Sequence, residues 1–192
     1  ETALGLNHNF KGSYLHNNQD VHNPEITGKV GVTASVMEYP AINLAPLGVE
    51  QGDYYDTIPG PYDIWAIKYG YTPNLSEDEL AAIIAEEIKA EHMFANDSED
   101  MRSPGRGIDP RAMINDLTND PITYAINRIE LLNHTQDNIV PRLADRIETF
   151  EEYRLALSVF MREYSRQLEV ISRHIGGVYV ERYNPKNISN KE

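Results

Sequence analysis

A mainly α-helical chain, irregular over its first third, is predicted by three observations. Two Ser/Thr-x-x-Glu capping boxes, Ser76 with Glu79 and Thr149 with Glu152, each precede an apolar pattern of helical period. Two Asp-Pro pairs, at 109–110 and 120–121, set an N-cap residue ahead of a proline suited to the first helical turn. Residues 11–60, by contrast, are crowded with the breakers Asn17-Asn18, Asn23-Pro24, Thr27-Gly28 and Pro59-Gly60-Pro61. The 192 residues suit one domain, or a small domain with an appended subdomain, dividing into 1–70 and a helical 71–192.

The elements follow in order. Glu1-Thr2-Ala3-Leu4-Gly5 reads as a helix already under way and so as the cut edge of something larger, with Leu4 core-facing and Gly5 at a helix end or tight turn. Long loops over 11–60 come next. Pro61 then opens a short helix that Gly70 closes as a left-handed cap. The Ser76 box starts a helix with Leu80, Ile83, Ile84 and Ile88 on one stripe, and the polar stretch 95–107 is an exposed loop. Asp109-Pro110 and Asp120-Pro121 open two further helices. The second turns Ile122, Ile126 and Ile129 inward and ends or kinks near Pro141. The longest pattern follows Thr149: Phe150, Tyr153, Leu157, Phe160, Met161, Tyr164, Leu168, Ile171 and Ile175, stopped by Gly176-Gly177. After Tyr183 the tail is polar and loose.

Composition removes several functions. Seventeen Lys and Arg against thirty Asp and Glu give a net charge of −13, which repels phosphate backbones and excludes non-specific nucleic-acid binding. The absence of cysteine excludes a disulfide scaffold, a thiolate zinc site and a Cys nucleophile. The longest apolar run, 80–85, is too short to span a bilayer, and the first residues carry no signal-peptide pattern. His16 and His22 are expected to face solvent from an Asn-rich loop; His92, His134 and His174 fall near helix ends, where cationic or capping roles suffice. Asn96-Asp97-Ser98-Glu99-Asp100 lacks the alternation and glycine of a calcium loop and reads as a solvated loop. Arg102 to Gly107 reads as a flexible turn.

Two short stretches carry chemistry. Leu4-Gly5-Leu6-Asn7-His8 ends in a His three residues after a Gly, and Ser35-Val36-Met37-Glu38-Tyr39-Pro40 sets a Met two residues before a Tyr. Together and in this order they resemble the metzincin pattern H-E-x-x-H-x-x-G-x-x-H followed by a Met-turn. With the words around them, 61–70 and Ile175-Gly176-Gly177-Val178-Tyr179, the chain resembles the bacterial Met-zincin family of zinc-dependent metallopeptidases.

That resemblance implies the C-terminal part of a metzincin-like catalytic domain followed by a helical subdomain, hydrolysing peptide bonds with zinc-activated water. It implies that His8 is the third zinc ligand, Gly5 the motif turn, Met37 the residue packed beneath the metal and Tyr39 a catalytic oxyanion stabiliser. Residues 36–46 would line the pocket past the scissile bond. The chain also departs from the pattern. The second ligand falls at position 2, which is Thr, and the first His and the catalytic Glu fall before Glu1. Zinc is therefore expected for an intact protein and not for this chain alone. A peptide or protein substrate, an extracellular or periplasmic location and homo-oligomerisation through the truncated face complete the expectation. The alternative is a non-catalytic helical binding or structural module that has lost its zinc site, with helix 150–175 as its interface.

Overall fold

Phe10 draws distant parts of the chain around itself: it forms one buried core with Met113, Ala125 and Val170, and Ile114 and Ile171 pack against that core. Val21, Val32, Ala41, Leu117 and Tyr124 form a second. Both cores join the irregular front to residues 112–125, so the loops of the front are packed and not merely draped. The computed structural model describes residues 2–97, 108–136, 138–144 and 146–181. The Arg102–Gly107 turn and the tail after Tyr183 lie outside the described residues.

The described residues contain six α-helices and no strand: α1 (Pro24–Val30), α2 (Pro61–Tyr71), α3 (Glu77–Ala85), α4 (Pro121–Gln136), α5 (Ile139–Ala144) and α6 (Phe150–Arg173). None is long and apolar enough to cross a membrane. Both capping boxes form as the sequence predicts, at Ser76 and Thr149. α4 ends before Pro141, which sits in the first turn of α5. Gly176 and Gly177 follow α6 with φ of 88° and 90°. The first residues make only a 3₁₀ turn, Thr2–Leu4, and Leu4 is exposed instead of core-facing.

Three expectations about helices are corrected. α1 arises where loops are predicted: Asn23 accepts from the Glu25 amide and Pro24 occupies the first turn, the same signal as at 120–121. Asp109-Pro110 opens no helix. Its carboxylate is taken up by Lys11 and Arg111, and the backbone soon enters left-handed conformations at Asn115 and Thr118, which no helix continues through. Gly70 is not a left-handed cap; α2 runs through it to Tyr71, whose hydroxyl donates to the Leu4 carbonyl at 2.9 Å.

The faces of α4 and α6 are also rotated from the apolar reading. α4 buries Pro121, Tyr124, Ala125 and Arg128 and leaves Ile122 and Ile126 exposed. α6 buries Phe160, Gln167 and Val170 and leaves Phe150, Leu157, Met161 and Leu168 exposed, and Ile175 beyond its end is exposed as well. In α3, Ile83 is buried while Ile84 and Ile88 are exposed. A polar clasp causes the α4–α6 rotation. The buried Arg128 donates to Glu163 at 2.5 Å, and Gln167 donates to the same oxygen at 3.1 Å. Turning the isoleucines inward would strip Arg128 of its carboxylate. Removing one partner of a buried ion pair costs about 3 kcal/mol or more, so Arg128→Ala should lower stability by about that amount, read as a reduced urea midpoint at unchanged slope.

Candidate metal-ligand site

The site is built from a turn, a helix start and a returning segment. The turn 35–38 closes by a Glu38 amide bond to the Ser35 carbonyl at 3.2 Å. It is held by Asp63, in the first turn of α2, which accepts from the Ser35 hydroxyl at 2.5 Å, the Val36 amide at 2.9 Å and the Gly60 amide at 3.0 Å. Tyr62 N–H donates to the Ala34 carbonyl at 3.0 Å. This approach is so close that a Cβ on Gly60 would lie 2.1 Å from the Ala34 oxygen, so only glycine fits there. One turn upstream, Asp56 binds the amides of Val32 and Thr33 and the Thr33 hydroxyl; burial raises its pKa.

His8 is brought to this turn by its neighbours. Gly5 takes a φ of 83°, reversing the chain after the first 3₁₀ turn. The Asn9 amide donates to the Met37 carbonyl at 3.1 Å. The Asn9 side chain, fully buried, accepts from Ala95 N–H and donates to the Met93 carbonyl, while Phe10 N–H donates to Ala95. These bonds lay residues 93–97 beside residues 8–10. As a result Asp97 Oδ2 lies 2.8 Å from His8 Nδ1. On the other side, Tyr39 Oη lies 3.4 Å from His8 Nε2. The His8 ring tilts against Tyr39 and Phe10, with centroids 5.1 and 5.3 Å away. Tyr39 is half exposed; Met37 is half-buried, and its amide donates to the Ser35 hydroxyl. Thus His8, Tyr39 and the Met37 backbone gather in one place, with Gly5 at the entry to it.

Beneath Tyr39 lie two buried acids. Ser13 joins them: its amide donates to Glu38 Oε2 and its hydroxyl to Asp116 Oδ2, each at 3.1 Å. Burial, with the Asp116 charge, pushes Glu38 well above the carboxylate range; burial pushes Asp116 up to about 8.

Several residues escape the sequence reading. Asp97 is not merely part of a solvated loop, since it meets His8; Ser98 to Asp100 lie outside the described residues. Asn9, Asp63 and Asp116 carry no motif of their own, although a Pro-x-Asp after Gly60 is a legible first-turn acid. The two histidines of the front loops are corrected too. His16 is buried with Nε2 2.7 Å from the Gly31 carbonyl, and His22 is buried on the Tyr124 ring, its pKa lowered by burial. Neither faces solvent, because both fill space under the front loops. His92, His134 and His174 do stand at helix ends, ending the 3₁₀ turn Ala90–His92, in the last turn of α4 and at the C-cap of α6. His92 is buried against Trp65 with Nδ1 on the Glu86 carbonyl, and burial lowers the pKa of His174, which favours the capping over the cationic role.

Among the described residues no group of three or more His, Asp or Glu gathers to hold a metal. His8 offers one imidazole nitrogen, which is a single corner of a tetrahedral zinc site. The residues present therefore do not fit a complete zinc centre.

A family model described as Met-zincin matches residues 2–190. No curated protein and no solved structure matches the chain.

The buried acid pair makes a pH prediction. Both folded-state pKa values are raised, so the folded chain binds more protons than the unfolded one. The pair's contribution to stability is then greatest at acid pH and falls as pH rises from about 4, the ordinary carboxylate value, toward about 8. Asp116→Asn, which keeps an acceptor for Ser13, should lose less stability than the unaltered chain between pH 5 and pH 8 in urea titrations.

Proposed function

The chain belongs to the Met-zincin family, and we propose on that footing that it forms the third-ligand and Met-turn portion of a zinc metallopeptidase acting on peptide bonds outside the cytoplasm. The observation that carries this is the environment of His8. A carboxylate at Nδ1 fixes the imidazole as the tautomer with a bare Nε2, which is how a zinc-binding histidine is held by its outer partner. The residue that provides it comes from 89 positions further along the chain, so the arrangement is a product of folding.

Each neighbour then has a defined part. Met37 and Asn9 set the height of the His8 backbone through one hydrogen bond. Asp63 fixes the turn that carries Met37. Tyr39 Oη stands beside Nε2; with that nitrogen engaged elsewhere, its hydroxyl is available to donate to a substrate carbonyl oxygen as charge develops there. A peptide bound in extended form would run along residues 36–46. Zinc, when bound, would activate the attacking water.

The second reading, a module that has lost its zinc site, is favoured by one observation: position 2 holds Thr where a second ligand is required. Under our proposal the remaining ligands and the general base come from outside residues 1–192. Calorimetric zinc titration of this chain is therefore expected to show no tight, stoichiometric site. Tight binding abolished by His8→Ala would contradict that. The coding sequence ahead of Glu1 separates the two readings: an H-E-x-x word in register supports the peptidase, and its absence supports the module.

A further inference from the structure

No residue of α6 before Phe160 is buried, although Phe150, Leu155, Leu157 and Val159 precede it. The face of α6 that packs on the rest of the chain carries Phe160, Gln167 and Val170. About 100° round the helix from that face runs a second apolar row: Phe150, Leu157, Met161, Tyr164 and Leu168, continued past the helix end by Ile175. Tyr164 is half-buried, and the other five are 40–82 % exposed. From Phe150 to Leu168 the row is about 27 Å long at the helical rise. Single exposed apolar residues are ordinary on a folded chain, whereas a continuous row of this length marks an interaction surface.

Charge identifies the occupant. α6 holds four Glu and four Arg and is therefore neutral, in a chain of net charge −13. A basic partner would be drawn to the acidic remainder of the molecule, and an acidic partner would be repelled by it. A second copy of this chain meets the least repulsion when it approaches helix to helix. Arg154 and Glu169 border the apolar row on the side away from the buried face. Both are exposed, and neither makes an ion pair among the described residues.

The row runs in steps of seven, four, three, four and seven residues, the same in either direction along the chain. Two copies laid antiparallel therefore set Phe150 against the partner's Ile175, Leu157 against the partner's Leu168 and Met161 against the partner's Tyr164. The same register brings Arg154 within one helical turn of the partner's Glu169. A two-fold axis repeats that contact with the roles exchanged, so each copy gives one cation and one anion. A parallel pair would instead oppose Arg154 to Arg154 and Glu169 to Glu169. We propose that α6 is a dimer interface, on which two copies of this chain pair antiparallel through the row from Phe150 to Ile175. This pairing depends neither on zinc nor on the peptidase reading.

Sedimentation velocity of the purified chain over about 1–100 µM tests this. The mass should rise with concentration from 21.8 kDa toward twice that value. Met161→Asp places a charge at the middle of the row in both copies and should raise the dissociation constant by about tenfold or more, with an unchanged far-ultraviolet spectrum, since Met161 is exposed. Arg154→Glu and Glu169→Arg should each weaken the dimer alone. An equimolar mixture of those two variants should restore it, because every cross-contact then joins opposite charges. A chain that stays monomeric throughout overturns the proposal, as does a dimer lost in Leu4→Asp but kept in Met161→Asp. A mixture of the charge variants that associates no better than either alone overturns it too. Should the Met161→Asp chain misfold, the charge-variant mixture decides alone.

Discussion

Three donors converge on the buried carboxylate of Asp63: the Ser35 hydroxyl and the amides of Val36 and Gly60. They come from both strands of chain that the site must join, the turn 35–38 and the start of α2. Without this acceptor the buried Gly60 amide and the part-buried Val36 amide lose their partner, and buried backbone donors are almost always paired. The turn carries the Met37 carbonyl that positions Asn9, and Asn9 positions both His8 and the segment that ends at Asp97. The turn that meets His8 through Met37 and Tyr39 is therefore downstream of one carboxylate. The Gly60–Ala34 approach is the steric counterpart of the same constraint, since α2 could not otherwise come close enough to deliver Asp63.

The same device recurs through the irregular front. Asp56 holds Val32 and Thr33, and Asn43 donates to the carbonyls of Val21 and Asp53. Gln51 accepts from Ala45 N–H and donates to the Asn43 carbonyl. Where no strand or long helix pairs the backbone, buried Asp, Asn and Gln side chains do so. A low-dielectric interior strengthens each such bond and makes each missing partner costly, so the front third is specified by polar contacts as much as by its two small apolar cores.

This explains what was legible in the sequence. The capping boxes at Ser76 and Thr149, the Pro61 and Pro121 starts and the Gly176-Gly177 stop are local signals, and local structure obeys them. The Gly5-to-His8 and Met37-to-Tyr39 words were readable because each is contiguous in sequence. Asp97 was not, because its partner lies 89 residues away and nothing in an acidic stretch marks the carboxylate that meets His8. The faces of α4 and α6 misled for a related reason. Periodicity counts apolar residues, while the packed interface is decided by Arg128, Glu163 and Gln167, whose burial depends on finding one another. Asn23-Pro24 shows the converse: the capping signal was present, but seven residues are too few for a period to show.

The central claim is that folding delivers His8 as one tautomer, with Nδ1–H held by Asp97 and Nε2 bare. Long-range ¹H–¹⁵N correlation spectra of the imidazole, recorded on the chain above the titration of its histidines, test this most directly. The account predicts that His8 shows a protonated Nδ1 and a bare Nε2 in one dominant form, and that Asp97→Asn returns it to the mixture of tautomers typical of a free side chain. A His8 that is protonated mainly at Nε2, or that exchanges freely between tautomers in the unaltered chain, would contradict it.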